Sequence, residues 1–198
     1  MRKWLITGAI VVVLLFWAVS SYNGLVGVQA DAKTAWSKVE SAYQRRNDLI
    51  GNLVKTVQGA ADFEKGTLTA VIEARAKATS VTIDPTNVTP EQLAQFQQVQ
   101  DGLKGSLSKL LVTVEQYPEL KANQNFLELQ SQLEGTENRI NVERDRYNDS
   151  VNTYDKRIKT FPSVIFAKLF GFDEMARFEA EQGAEKAPEV EFNFDNKK

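Results

Sequence analysis

The sequence predicts an all-α protein: an N-terminal transmembrane helix followed by an elongated antiparallel bundle of three long helices plus a short C-terminal one. Three observations lead there. A run without any charged residue, WLITGAIVVVLLFWAVSSY from Trp4 to Tyr22, opens the chain after Met1, Arg2 and Lys3. Beyond it, apolar residues recur on a seven-residue grid, the spacing of one helix face. Glycine and proline number only 11 and 5, and the helical stretches are rich in Ala, Leu, Glu, Gln and Lys, which favour helix over strand. A chain of 198 residues, 42% hydrophobic and 25% charged, suits one extended domain plus an anchor better than two large domains. The expected division is an anchor over 1–21, a bundle over 22–180 and a polar tail over 181–198.

The opening run of about 19 residues is roughly 28 Å long at the helical rise, close to the thickness of a hydrocarbon core. Trp4 at one end and Trp17 and Tyr22 toward the other match the aromatic belts of membrane interfaces. Arg2, Lys3 and the terminal amine are expected to stay in the cytoplasm, which places everything after Tyr22 across the membrane. A cleaved signal peptide is the competing reading, because Ala18-Val19-Ser20 is an acceptable small-residue site. Against it, helical patterning resumes at Tyr22 without a break.

From Tyr22 to about Ser80 the grid predicts one amphipathic helix. Tyr22, Gln29, Trp36, Tyr43, Ile50, Val57, Glu64, Val71 and Ala78 fall on one line, and Leu25, Ala32, Val39, Arg46, Leu53, Ala60, Thr67 and Ala74 on a second. Lys38, Asn47, Lys55, Asp62 and Lys65 occupy the opposite, water-facing side. The pattern leaves open whether the span and this helix form one rod. SVTIDPTNVT, from Ser80 to Thr89, reads as a connector, with Thr89 as N-cap and Pro90 at the first helical position. A second helix is expected over Pro90 to about Gln116, striped by Leu93, Phe96, Val99, Leu103, Leu107, Leu110, Leu111 and Val114 and weakened by Gly102 and Gly105. A third is expected from about Glu119 to Thr160, with Phe126, Leu133, Ile140, Tyr147, Tyr154 and Phe161 seven residues apart. Phe161-Pro162 stops it, since proline breaks the hydrogen-bond ladder. A short helix follows within Ser163 to Phe172, and the stretch beginning EAEQGAEKAPEV is polar and expected to be loosely ordered.

Several strings resemble the LemA family. Its opening signature is matched by Tyr22-Asn23, Ala35-Trp36-Ser37, Arg45-Arg46, Asp48-Leu49-Ile50 and Asn52-Leu53-Val54, and the likeness continues through Glu73-Ala74-Arg75-Ala76. ANQNFLELQSQLEGTENRI and RDRYNDSV are its strongest features, and SVIFAKLFGF, Phe178-Glu179-Ala180 and Ala187-Pro188 match its closing segments. One departure is Gly51, where the family usually carries proline; glycine loosens a helix by about 1 kcal/mol relative to alanine but need not kink it. The resemblance implies a bacterial protein of the cytoplasmic (inner) membrane, single-pass, with its bulk periplasmic or otherwise extracytoplasmic. It also implies partners among membrane-bound zinc metallopeptidases of the HtpX type.

Chemistry is scarce. Histidine and cysteine are both absent, which removes the commonest general base, the thiol nucleophile and the ligands zinc prefers. No catalytic, cofactor-binding or metal-ligating residue is predicted. The formal net charge of −2 comes from interspersed signs with no basic block, so nucleic acid is not an expected partner. Two features stand out instead. Arg46, Glu64, Glu137, Glu143 and Arg144 place charges on faces that should be apolar; they form a candidate interhelical polar layer that fixes register, with Arg46 facing a third-helix carboxylate. The alternative is that the apolar arc drifts off the grid and these side chains reach water. Phe166, Leu169 and Phe170 are the second feature, either a cap on the bundle or a contact for the bilayer or a partner. Ser37-Lys38 is not expected to act as a dyad, because adjacent helical residues point apart.

Two functions follow. The first is a non-enzymatic membrane-anchored scaffold or adaptor, extended by self-association through spare apolar and alanine positions. The second is an envelope enzyme working through paired carboxylates, which requires a cleft holding two acidic groups.

Overall fold

In the computed structural model, which describes residues 2–60, 63–85 and 88–179, the chain is all-α, and no strand occurs among the described residues. Among the described residues six helices follow one another: α1 (Arg2–Gln58), α2 (Lys65–Ser80), α3 (Pro90–Val114), α4 (Pro118–Lys121), α5 (Gln124–Lys159) and α6 (Ser163–Phe170). The tail over 181–198 and Asp62, expected to face water, lie outside the described residues.

The N-terminal apolar run and the first bundle helix are one rod. α1 runs from Arg2 to Gln58 without interruption, about 85 Å at 1.5 Å per residue. Its first part is exposed on all sides, with Trp4, Leu5, Phe16 and their apolar neighbours facing outward, while Leu25, Ala32, Trp36, Val39, Ile50, Leu53 and Val57 are buried. α5 packs antiparallel along that buried stripe. The pairings Gly24 with Arg157, Trp36 with Tyr147 and Arg46 with Glu137 show the constant register. Gly24 matters to the first, because a Cβ there would stand 3.2 Å from the Arg157 guanidinium.

The segment expected as a single helix to Ser80 instead turns a corner after Gln58. Gly59 opens the turn, and the Ala60 and Phe63 N–H groups donate to the carbonyls of Val57 and Ala60. Phe63 then folds inward onto Tyr117, 4.9 Å between ring centres. The reason is burial: by doubling back, α2 places Leu68, Val71 and Ala78 in the same core as Val57, Leu103 and Leu110, where a straight rod would have left them in water. Glu64, placed by the grid on a buried line, therefore sits exposed at the start of α2. Asn47, expected to face water, is covered for the same reason: Arg75 of α2 lies over α1 and donates from Nε to the Asn47 carbonyl at 2.8 Å. α1 passes through Gly51 unbroken, and the Arg75 guanidinium rests where a side chain at 51 would begin, 3.2 Å from such a Cβ.

α3 starts on a capping box. Thr89 accepts from Gln92 N–H, and the Gln92 side chain accepts from Thr89 N–H, with Pro90 in the first turn. The third predicted helix is split by a turn at its start. α4 is a single turn whose Leu120 plugs the far end of the bundle, and Asn123 caps α5 by accepting from the N–H groups of Asn125 and Phe126.

After α6 the chain closes over the bundle as an extended strap, residues 172–179. The Tyr147 and Tyr154 hydroxyls donate to the carbonyls of Ala176 and Asp173 at 2.9 and 2.8 Å. Asn148 exchanges two hydrogen bonds with the Phe178 backbone, and Arg177 pairs with the buried Asp155 carboxylate. Phe178 stacks on Trp36 at 5.6 Å and is itself buried.

Candidate functional site, a buried polar layer

The core is interrupted at one level. On the side of the N-terminal apolar run, Leu25 through Tyr43 join Phe96, Ile140 and Tyr147 in one apolar cluster. On the far side, Leu49 through Val57 join Leu103, Leu110 and Leu133 in another. Arg46 lies between them, on the buried stripe of α1 and only 3% exposed.

Its guanidinium spends two donors on two helices. Nη1 donates to Glu137 Oε2 of α5 at 2.9 Å, and Nη2 donates to Gln100 Oε1 of α3 at 2.6 Å. Gln100 then donates from Nε2 to the Ala78 carbonyl near the end of α2, 3.2 Å away. Four helices are thus tied at one height. Lys104 Nζ stands 3.8 Å from the other oxygen of Glu137, which keeps about a quarter of its side chain in water. The Tyr43 ring lies 5.0 Å from the Arg46 guanidinium carbon, and burial raises its hydroxyl pKa despite the opposing pull of Arg144 and Arg46. Removing charges from water is costly, so the arrangement holds only because each ion meets an oppositely charged or dipolar partner.

The other predicted members of the layer go elsewhere. Glu64 accepts from Thr67 Oγ1 at 3.2 Å in the α1–α2 corner. Glu143 is buried on α5, where one oxygen accepts from Arg146 of its own helix at 2.9 Å. Arg144 reaches the strap, donating to the Glu179 carbonyl and lying 4.7 Å over the Phe178 ring. Gln100 was not anticipated. Its only signal is position: it continues the apolar stripe of Leu93, Phe96 and Leu103, where a neutral amide has to find a partner.

Beside Arg46, α3 and α5 leave a cleft of about 180 Å³, lined by Leu103, Leu107, Leu111 and Leu133 together with polar residues that include Glu134 and Glu137. Both carboxylates are engaged, Glu137 by Arg46 and Lys104 and Glu134 by the Gln130 amide at 3.2 Å. Among the described residues no group of three or more acidic side chains is placed to hold a metal ion. The second candidate surface lies at the other end of the bundle. Phe166 is half-buried against Trp17, whereas Leu169 and Phe170 are exposed, 72% and 47%.

A family model described as LemA family matches residues 35–192, which takes in the polar layer, the strap and α6. The chain belongs to the LemA family. Protein LemA of Metamycoplasma hominis is 26% identical over 86% of this chain and 74% of its own length. Magnetosome protein MamQ of Magnetospirillum gryphiswaldense is 26% identical over 79% of this chain, and Magnetosome protein MamQ 2 of Paramagnetospirillum magneticum is 26% identical over 80%. In both cases the match spans 64% of the MamQ chain, under two thirds of its length. None of these names carries an enzymatic activity. The LemA match begins at residue 35, within α1 and beyond the apolar run, so the family region joins the N-terminal apolar helix without a linker.

Proposed function

We propose that this LemA-family chain is a non-enzymatic scaffold or adaptor, anchored by α1 in the bacterial cytoplasmic membrane with its N-terminus inside and its bundle outside. The observation that supports this most is the continuity of α1. One helix is long and apolar enough to cross a membrane at its start and becomes the central helix of a packed bundle further on. Arg2 and Lys3 precede the span, the arrangement that keeps an N-terminus cytoplasmic. The bundle offers surface rather than a catalytic centre: in the cleft beside Arg46 the acidic groups are engaged, and in a larger one of about 340 Å³ between α1, α2 and α3 the two acidic residues, Glu40 and Asp48, are both exposed and stand two turns apart on α1.

An adaptor needs companions. Gentle detergent extraction, followed by light scattering and identification of co-purifying proteins, is expected to give a species well above the 22.2 kDa of one chain. A multiple of that mass reports self-association, and a membrane metallopeptidase of the HtpX type among the companions carries the partner expected from the family resemblance. A lone monomer without companions would overturn the proposal.

A further inference from the structure

α5 descends along α1 toward the anchor, and the turn at Phe161 and Pro162 reverses the chain beside the outer end of the apolar run. α6 then climbs α1. Phe166 meets Trp17 edge-on at 5.8 Å, and Phe170 meets Tyr22 edge-on at 5.0 Å, with Phe172 also on Tyr22 at 5.8 Å. Trp17 and Tyr22 are the aromatic residues placed at a membrane interface if α1 spans the bilayer, so their contacts put α6 at that height. The inner side of this short helix is occupied by Ser163 and Ala167, both buried. Its outer side is apolar and bare. Ile165 and Leu169, spaced by four, are 55% and 72% exposed, and Phe161, in the turn just before the helix, is 72% exposed.

We propose that α6 is a second membrane contact, lying at the headgroup and acyl boundary of the outer leaflet with Phe161, Ile165 and Leu169 turned into the lipid. The proposal rests on the reading of α1 as a span. Two observations favour lipid over protein as the occupant. Through the Trp17–Phe166 contact α6 lies against the outer end of the apolar run, where the neighbouring Leu14 and Phe16 face outward. The bare face is also small: three side chains offer on the order of a few hundred Å², well short of the roughly 800 Å² per partner of an ordinary protein interface. Basic residues lie close to it in the chain: Lys156 in the last turn of α5 and Lys168 on α6, while Lys159 is paired with Glu174 and Arg157 lies over Gly24. Such groups suit lipid phosphates. Attachment at two points would hold the bundle at a fixed tilt to the membrane.

The chain has no cysteine, so single cysteines report position cleanly. The full chain, in nanodiscs of phosphatidylcholine and phosphatidylglycerol, is labelled with an environment-sensitive fluorophore at Ile165→Cys or Leu169→Cys. Leu14→Cys serves as the span control and Val112→Cys, exposed on α3, as the water control. Lipids carrying a nitroxide near the headgroup should remove most emission at 165 and 169, a deep nitroxide should do so at 14, and neither should affect 112. Water-like emission at both 165 and 169 with quenching at 14 overturns the α6 contact and leaves the anchor standing. Blue-shifted but unquenched emission at 165 and 169 means a second copy covers the face, which also overturns it. Loss of quenching at 14 removes the anchor, and the α6 proposal with it.

Discussion

Because the donors of a guanidinium lie in one plane and point in different directions, Arg46 can hold acceptors from two helices without distorting either. Leucine at the same place would fill space but would tolerate a shifted α5 or a rotated α3 far better, since apolar contacts have no direction. Breaking a buried ion pair costs about 3–5 kcal/mol, and because Glu137 keeps Lys104 and some water, Arg46→Met should lose about 3 kcal/mol in denaturant unfolding. Replacing Arg46, Gln100 and Glu137 together by Met, Leu and Leu should recover most of that loss, at the expense of a single well-defined packing visible as broadened amide spectra. An unchanged midpoint in Arg46→Met would remove the register role. Arg46 and Glu137 stood out in the sequence because charge on an apolar stripe is anomalous. Gln100 did not, since glutamine is ordinary on a helix surface and only the fold shows that its position is covered.

At the level of elements, helical patterning was legible wherever one face is buried against a neighbour, and least so where the chain changes direction. The grid ran through the α1–α2 corner because both arms bury the same kind of stripe; a seven-residue repeat does not say whether its next turn continues or folds back. Gly59 and Gly66 flank that corner, but Gly24, Gly27 and Gly51 sit within α1, so glycine alone could not mark it. The strap was hidden for a different reason. It has no periodicity, and its ties are hydroxyls and amides of α5 that become visible only when Tyr147 and Tyr154 are seen to point at its carbonyls. Those ties predict an alkaline weakness. Burial, reinforced by Asp155, raises both phenols from 10.0 to about 12, so the folded state holds their protons more tightly than the unfolded chain does. Their contribution is complete below pH 10 and is lost as the pH rises toward 12, once the hydroxyls can no longer donate. Unfolding midpoints measured between those limits should therefore fall with pH. In a Tyr147→Phe/Tyr154→Phe chain the fall should be shallower, from a starting stability lower by about 1 kcal/mol per lost hydrogen bond. Equal slopes for the two proteins would show that the phenols do not control it.

For the molecule as a whole, the decisive property is that α1 changes character along its length. Its first turns expose apolar side chains on every side, and its later turns carry them on one face only, which is buried, with the change falling between Val19 and Leu25 and no break in the helix. Composition identified both parts but could not join them, because an all-round apolar run has no phase to carry into a striped one. The join is made by packing: Arg157 covers Gly24, while Tyr22 gathers Phe170 and Phe172, so the stretch most open to bending is braced from α5, α6 and the strap. A braced junction makes the bundle's orientation follow the apolar run, which is what the proposed membrane scaffold requires and a tethered domain lacks. Spin labels on Thr7→Cys and Ser37→Cys, both exposed and on opposite sides of the junction, test this directly in nanodiscs. Thirty residues of unbroken helix separate them by about 45 Å at 1.5 Å per residue, and pulsed dipolar spectroscopy should find one narrow distribution there. Phe170→Ala with Phe172→Ala should broaden it without shifting the distance between labels placed wholly within the bundle. A broad or markedly shorter distribution in the unaltered chain would mean that anchor and bundle move independently, and the scaffold reading would lose its mechanical basis.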